Sequence, residues 1–262
     1  MITRVIVSSR GVNKSYSTNI RKMKPSPFLE ILHFNDCYAM DARPNQHICG
    51  GCSRFVTLLS KFSPQSLKLF SGDLWAPSKY DTFFSGEQLV VPVNSMNLDV
   101  ACIGNHDFEF GPDRLEWLNS QCNFPWLMSN LVKEDGTRYG KGLEWSVVKK
   151  GEATVGVIGL IEWEWMDILT VINVEEVVFE DFALAGTRLA KFLREEKKCD
   201  FVIALTHMRM HNDRRLAEMA EGIDLILGGH DHIWIVEKIN NVLIVKSGTD
   251  FLGLSHITLT QI

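Results

Sequence analysis

Five short apolar runs in this chain end directly in polar side chains of the kind that hold cations. The run closing at Phe34 is followed by Asn35-Asp36, and the run closing at Phe70 leads through Ser71 to Gly72-Asp73. Ile103 precedes Gly104-Asn105-His106-Asp107. The run from Phe201 reaches Thr206-His207, and Leu227 precedes Gly228-Gly229-His230-Asp231-His232. Short apolar runs bounded by turn residues read as buried strands. Amphipathic segments separate them, and alternating strands and helices imply an α/β layer architecture. In open α/β sheets, ligands gather beyond the carboxyl ends of the strands. Five strands therefore deliver donors to one rim. Glycine beside the donors lets the backbone turn sharply or pass close to a neighbour.

The same patterning predicts strands at 28–34, 67–70, 100–103, 126–128, 146–148, 155–160, 201–205, 223–227, 242–245 and 256–259. Helices are expected at 55–62, 88–97, 112–119, 180–198 and 213–221. In the helix from residue 180, Phe182, Ala185, Leu189, Phe192 and Leu193 share one face, with Arg188, Lys191, Arg194 and Glu195 off it.

Residues 28–262 read as one catalytic domain, and 1–27 as something separate. That segment carries Arg4, Arg10, Lys14, Arg21, Lys22 and Lys24 and no acid. It reads as a disordered basic tail, with an organelle transit segment as the alternative. Setting these six aside leaves 21 basic against 32 acidic residues, a balance of −11 for the body. An acidic body argues against binding a nucleic-acid duplex, whose phosphates need basic surface. No apolar run is long enough to span a bilayer. Cys102 and Cys199 flank apolar runs and read as core residues. Cys49-Gly50-Gly51-Cys52 is a lone CxxC, weak support for zinc or redox work. With no secretory signal, a reducing compartment is the default: cytoplasmic, or mitochondrial if the basic segment is a transit peptide.

The candidate metal ligands are Asp36, Asp73, Asn105, His207, His230 and His232. This donor set suits two hard-to-borderline cations, such as manganese, zinc, iron, cobalt or magnesium, in divalent or mixed-valence pairs. Asp73, directly after Gly72, is the candidate bridge, since one carboxylate can hold two cations and turn water into a nucleophile. His106 is the candidate general acid for the leaving oxygen, with Asp107 or Glu109 orienting its ring. Arg54 and Asn130 are weaker candidates for substrate contact. Taken singly, Asp73 and Asn105 read as turn or cap residues and His207 as a core histidine. Their joint placement at strand ends favours the metal reading. His33 and His256 read as structural, and His47 and His211 as exposed loop residues.

The ordered series Asp36-x-Tyr38, Gly72-Asp73, Gly104-Asn105-His106-Asp107, His207 and Gly229-His230-x-His232 resembles the calcineurin-like metallophosphoesterase superfamily. Within it, Ile31-Leu32-His33-Phe34-Asn35-Asp36, Gly50-Gly51-Cys52-Ser53-Arg54 and Gly104 to Gly111 look like the amino-terminal domain of 5′-nucleotidases. The resemblance implies an α/β, four-layer metallophosphoesterase fold with a central β-sandwich flanked by helices. It also implies a dinuclear phosphoester hydrolase acting on nucleotides or other small phosphate esters through a metal-bound hydroxide. Asp36, Asp73 and His232 would serve one metal, and Asp73, Asn105, His207 and His230 the other. In 5′-nucleotidases the carboxylate paired with the catalytic histidine lies three residues on, which is Glu109 here; in other branches it is the next residue, Asp107. Tyr38 stands where the family usually has histidine, and a phenol is a poor zinc ligand unless deprotonated. Full-length relatives add a carboxyl-terminal domain that selects the substrate. The alternatives are a cyclic-nucleotide phosphodiesterase and a non-catalytic scaffold on the same fold.

Overall fold

The computed structural model describes residues 4–9, 12–17, 27–43, 49–167 and 169–260. Two sheets pack face to face. The first has seven strands in the order Val12–Ser17, Arg4–Ser9, Ser255–Thr260, Pro27–Phe34, Leu67–Ser71, Val100–Cys102 and Trp126–Leu127. The second has six, in the order Trp145–Lys150, Ala153–Ile161, Phe201–His207, Leu225–Gly228, Val242–Ser247 and Trp234–Ile239. Pro27–Phe34 through Trp126–Leu127 run parallel in the first sheet, and Ala153–Ile161 through Val242–Ser247 run parallel in the second.

Parallel strands covered on both faces favour apolar residues on both, which is why they appear as near-continuous runs and not as alternations. Leu29, Ile31, Leu67 and Leu69 point into the sandwich, where they meet Val155, Val157, Ile203 and Leu205. Their neighbours Leu32, Phe34 and Phe70 point outward, onto Phe55, Leu59, Val93 and Leu115 of the covering helices. On the far side, Val202, Ala204, Ile226 and Ile244 pack on Ala185, Leu189, Leu193 and Leu216. Three apolar interfaces thus separate four layers: helices, sheet, sheet, helices.

All ten expected strands form, with ends shifted by a residue or two. The strand expected from 223 begins at Leu225. The helix expected from residue 180 begins at Phe182, because the Asp181 carboxylate accepts from the amides of Ala183 at 2.9 Å and Leu184 at 3.3 Å. The segment 88–97 is a short 3₁₀ turn, Glu87–Leu89, followed by the helix Val90–Ser95. Trp234–Ile239 was not expected as a strand. It is a half-exposed edge strand, in which the apolar Trp234-Ile235-Val236 gives way to Glu237 and Lys238. His211 lies exposed in the helix Met210–Met219, not in a loop, and His47 falls outside the described residues.

Arg4–Ser9 pairs antiparallel with Val12–Ser17 and with Ser255–Thr260, so the first sheet extends into part of the amino-terminal segment. Residues 18–26 lie outside the described residues. Among the described residues, no helix is long and apolar enough to cross a membrane.

Candidate metal centre

The rim is built from backbone that ordinary residues avoid. Asp36, Asp73, His230 and His232 have φ of 53°, 63°, 76° and 56°. Non-glycine residues rarely sit there, and Asp and His are among those that do so at least cost. Strain of this kind persists only where the surrounding structure fixes it, and it clusters at functional sites. Two glycines permit the close approach of these loops. A Cβ on Gly104 would fall 2.2 Å from Asp73 Oδ1, and one on Gly229 would fall 2.4 Å from the Ser71 carbonyl.

The donors converge across the two sheets. Asp73 Oδ2 lies 2.7 Å from the Tyr38 hydroxyl and 3.1 Å from His207 Nε2. Asp36 Oδ1 is 3.1 Å from the Tyr38 hydroxyl, 3.1 Å from His232 Nε2 and 3.9 Å from His207 Nε2. Asp36 Oδ2 accepts from the amide of His230 at 2.9 Å and from Asn35 Nδ2 at 2.5 Å. The rings of His207 and His230 meet edge to face with centroids 5.1 Å apart. His207 donates through Nδ1 to the Ser71 carbonyl at 2.8 Å, which turns Nε2 toward the carboxylates.

Two observations test whether a cation fits. Asn105 Oδ1 is buried and makes no hydrogen bond, and His207 Nε2 is buried facing the Asp73 and Asp36 carboxylates. Buried polar atoms are almost always satisfied, so the unpaired Asn105 oxygen asks for a partner. The oxygens and nitrogens of Asp36, Asp73 and His207 also lie within 4.8 Å of one another, close enough to share an ion. Electrostatics agree. Burial alone would lower the pKa of His207, but Asp73 and Asp36 outweigh it and raise it: the carboxylates draw positive charge into this spot. Burial, helped by His207, holds His230 at about 3, so its imidazole is neutral and able to ligate. The residues present fit a metal.

Tyr38 sits where three donors meet. Its hydroxyl is also 3.1 Å from His232 Nε2. Burial, then the charges of Asp73 and Asp36, push its pKa far above the ordinary phenol value, so it donates to the carboxylates as a neutral group. Tyr38→His should therefore tighten metal binding at least severalfold in a chelator competition. Equal or weaker binding would show that the phenol is not the weak member of the set.

Glu109, not Asp107, stands beside the candidate catalytic histidine. His106–Phe108 is a 3₁₀ turn, in which residues three apart eclipse one another. This brings Glu109 Oε2 to 3.3 Å from His106 Nδ1. The Asp107 carboxylate points the other way and accepts four backbone amides: Asp73 at 3.0 Å, Leu74 at 2.8 Å, Trp75 at 3.0 Å and Gly104 at 2.8 Å. Asp107 thus braces the Asp73 loop against the Gly104 loop. Burial and the nearby Asp73 charge raise its pKa to about 6, against the pull of those amides.

The two substrate-contact candidates fare differently. Asn130 is buried and fully occupied. Its Nδ2 donates to the carbonyls of Ile161 at 2.9 Å and Glu180 at 3.0 Å, and its Oδ1 accepts from the Ile161 amide at 3.0 Å. It is a brace between strand ends, with both amide hydrogens engaged. Asn130→Ala should cost about 3 kcal/mol in urea unfolding, by stranding buried backbone groups, and should leave KM unchanged. A raised KM without lost stability would restore the substrate role. Arg54 is an exposed residue of the helix Cys52–Leu59.

One residue of the rim was not anticipated. Glu162 directly follows the strand Ala153–Ile161, is buried, and places Oε1 3.4 Å from His230 Nε2. Its other oxygen accepts from the Arg209 amide at 2.8 Å and from Asn212 Nδ2 at 2.7 Å. The signal was present, since it is another polar residue at the carboxyl end of an apolar strand. Of the two tryptophans that follow it in sequence, Trp165 is buried against His207, with ring centroids 5.5 Å apart, and Trp163 is exposed.

A four-layer sandwich with Asp, Asn and His donors at one rim defines a metallophosphoesterase-type protein. The family model for calcineurin-like phosphoesterases matches residues 29–234, and the chain belongs to that family. Its relatives include the 5′-nucleotidase of Homo sapiens, 26% identical over 79% of this chain and 38% of that protein. Snake venom 5′-nucleotidase of Gloydius brevicauda is 26% identical over 79% of this chain and 37% of that protein. The chain thus spans less than two fifths of either relative. Among solved structures, a 5′-nucleotidase precursor of Thermus thermophilus superposes with a TM-score of 0.81 at 22% identity, covering 89% of this chain and 51% of that one. The calcineurin-like phosphoesterase YfkN of Bacillus subtilis gives 0.74 at 20% identity, over 89% and 86%. At these identities the two structures speak for the fold.

Proposed function

We propose that this chain is the catalytic domain of a phosphoester hydrolase that works with two metal ions on nucleotides or similar small phosphate esters. The observation that carries this is the buried convergence of Asp36, Asp73 and His207, whose ligand atoms lie within 4.8 Å of one another. Asp36, Asp73 and His232 would hold one cation, and Asp73, Asn105, His207 and His230 the other. Cations there would polarise the phosphoryl group and lower the pKa of water.

The chain's own residues supply the rest. The His106 amide donates to Asp73 Oδ1 at 2.8 Å, which fixes the histidine beside the rim. Glu109 steadies its ring through Nδ1, leaving Nε2 to give a proton to the departing oxygen. Asp107 holds the two loops that carry Asp73 and Asn105 in register. The nucleotide class is favoured by the relatives named 5′-nucleotidase. Their greater length is consistent with a further substrate-selecting domain in such proteins.

The test is a substrate panel on metal-analysed protein: p-nitrophenyl phosphate, bis-p-nitrophenyl phosphate, nucleoside 5′-monophosphates and cyclic nucleotides. Turnover of monoesters that requires manganese, zinc, cobalt or iron is the expected result. A preference for the diesters would move the reading to a phosphodiesterase. Folded protein that takes up no metal and hydrolyses nothing would leave the non-catalytic scaffold.

A further inference from the structure

The segments that carry all three candidate histidine ligands meet on one buried cation that belongs to the chain itself. Lys246 lies near the end of the strand Val242–Ser247, in an otherwise apolar run, and is fully buried. Its Nζ donates to the carbonyl of Met208 at 2.7 Å, to the carbonyl of Gly229 at 2.8 Å and to Asp231 Oδ2 at 2.6 Å. Asp213 Oδ2 lies 2.8 Å away as a second counter-charge. Met208 follows His207, Gly229 precedes His230, and Asp231 stands between His230 and His232.

The surrounding contacts repeat the same tie. Asp231 Oδ2 also accepts from the Met210 amide at 2.7 Å, joining the loop after His207 to the loop of His230. Asp213 Oδ1 accepts from Thr206 Oγ1 at 2.6 Å, so the balancing acid is anchored on the residue before His207. A buried ammonium carries a desolvation cost of several kcal/mol, and a well-packed apolar side chain would often serve stability as well. What a methionine or leucine could not do is hold two carbonyls and a carboxylate from separate loops at fixed distances. Those loops need holding, since His230 and His232 carry positive φ.

We propose that Lys246 is a positioning residue: it clamps the loops of His207, His230 and His232 into the arrangement a metal needs, and touches neither metal nor substrate. The inference rests on the metal-centre reading above. It is tested by calorimetric titration of manganese(II) into the full chain and into two variants, with the melting point of each measured without metal. Lys246→Met removes the clamp outright. Asp231→Ala removes one strut and leaves Lys246 paired with Asp213, so it decides the matter if Lys246→Met does not fold. The folded variants should bind manganese about 10- to 100-fold more weakly than the parent. A lysine serving only the core would lower the melting point and leave the affinity of folded protein unchanged; affinity within twofold of the parent in Asp231→Ala therefore overturns the proposal. If the parent itself takes up no manganese, the metal-centre reading falls and this inference with it. If the parent binds and the variants bind equally, only this inference falls.

Discussion

Asp73→Ala is expected to strip the protein of metal and reduce phosphoester hydrolysis to the background rate. Its side chain ties three parts of the rim together. Its Oδ2 lies against both Tyr38 and His207, and its Oδ1 receives the amide of His106. It is fully buried, and although burial would raise its pKa, His207 beside it holds the carboxyl below its ordinary range, at about 2. The group is thus an anion at every physiological pH. Removing it deletes the negative charge that draws a cation in, and it also frees the backbone of His106. Asp73→Asn separates the two effects, because an amide oxygen can still accept from His106 while the charge is gone. Both variants should fail in elemental analysis. Unchanged metal stoichiometry in either one would sink the assignment of Asp73 as a shared ligand.

The second large effect has the opposite signature. His106→Ala should lower turnover by about 10²- to 10⁴-fold, the usual range for a lost general acid, with metal content as in the parent. The loss should be greater for a nucleoside monophosphate than for p-nitrophenyl phosphate, whose leaving group needs little help from a proton. Equal losses for both would argue that His106 binds the phosphoryl group and does not protonate the leaving oxygen. Glu109→Gln should give a smaller loss of the same kind, since it releases the ring but keeps it in place. Asp107→Asn should act differently. It loosens the Asp73 loop, so its cost should show in stability and metal affinity before it shows in the leaving-group dependence.

The contrast between Asp107 and Glu109 shows where the sequence stops being legible. Spacing alone left both open, because i+1 and i+3 are equally near along the chain. A 3₁₀ turn at His106–Phe108 decides between them, and a single turn of that kind leaves no period to read. The strands were legible for the opposite reason. The buried parallel strands read as near-continuous apolar runs, so a change to polar residues marks where they end, and the donors Asp36, Asp73, Asn105, His207 and His230 follow shortly after. The same rule reaches Glu162, which directly follows the apolar strand Ala153–Ile161. Lys246 could not be found this way. Its partners come from Met208, Asp213, Gly229 and Asp231, and the parallel pairing of Phe201–His207, Leu225–Gly228 and Val242–Ser247 brings them together. Asn130 shares the address of the ligands at a strand end, but the carbonyls of Ile161 and Glu180 claim it first. The strands Arg4–Ser9 and Val12–Ser17 lie in a segment whose arginines, lysines and serines read in sequence as a solvated tail.

The left-handed backbone at Asp36, Asp73, His230 and His232 also limits how this rim can change over evolutionary time. A descendant that no longer needed the chemistry would be free to lose these side chains but would still inherit the loops. Valine, isoleucine and threonine resist that backbone, whereas glycine and asparagine accept it. A copy drifting toward a purely structural life should therefore show glycine or asparagine at these four positions, and not the apolar residues that commonly fill an abandoned pocket. The present chain retains all four donors, so by that measure it has not taken the first step.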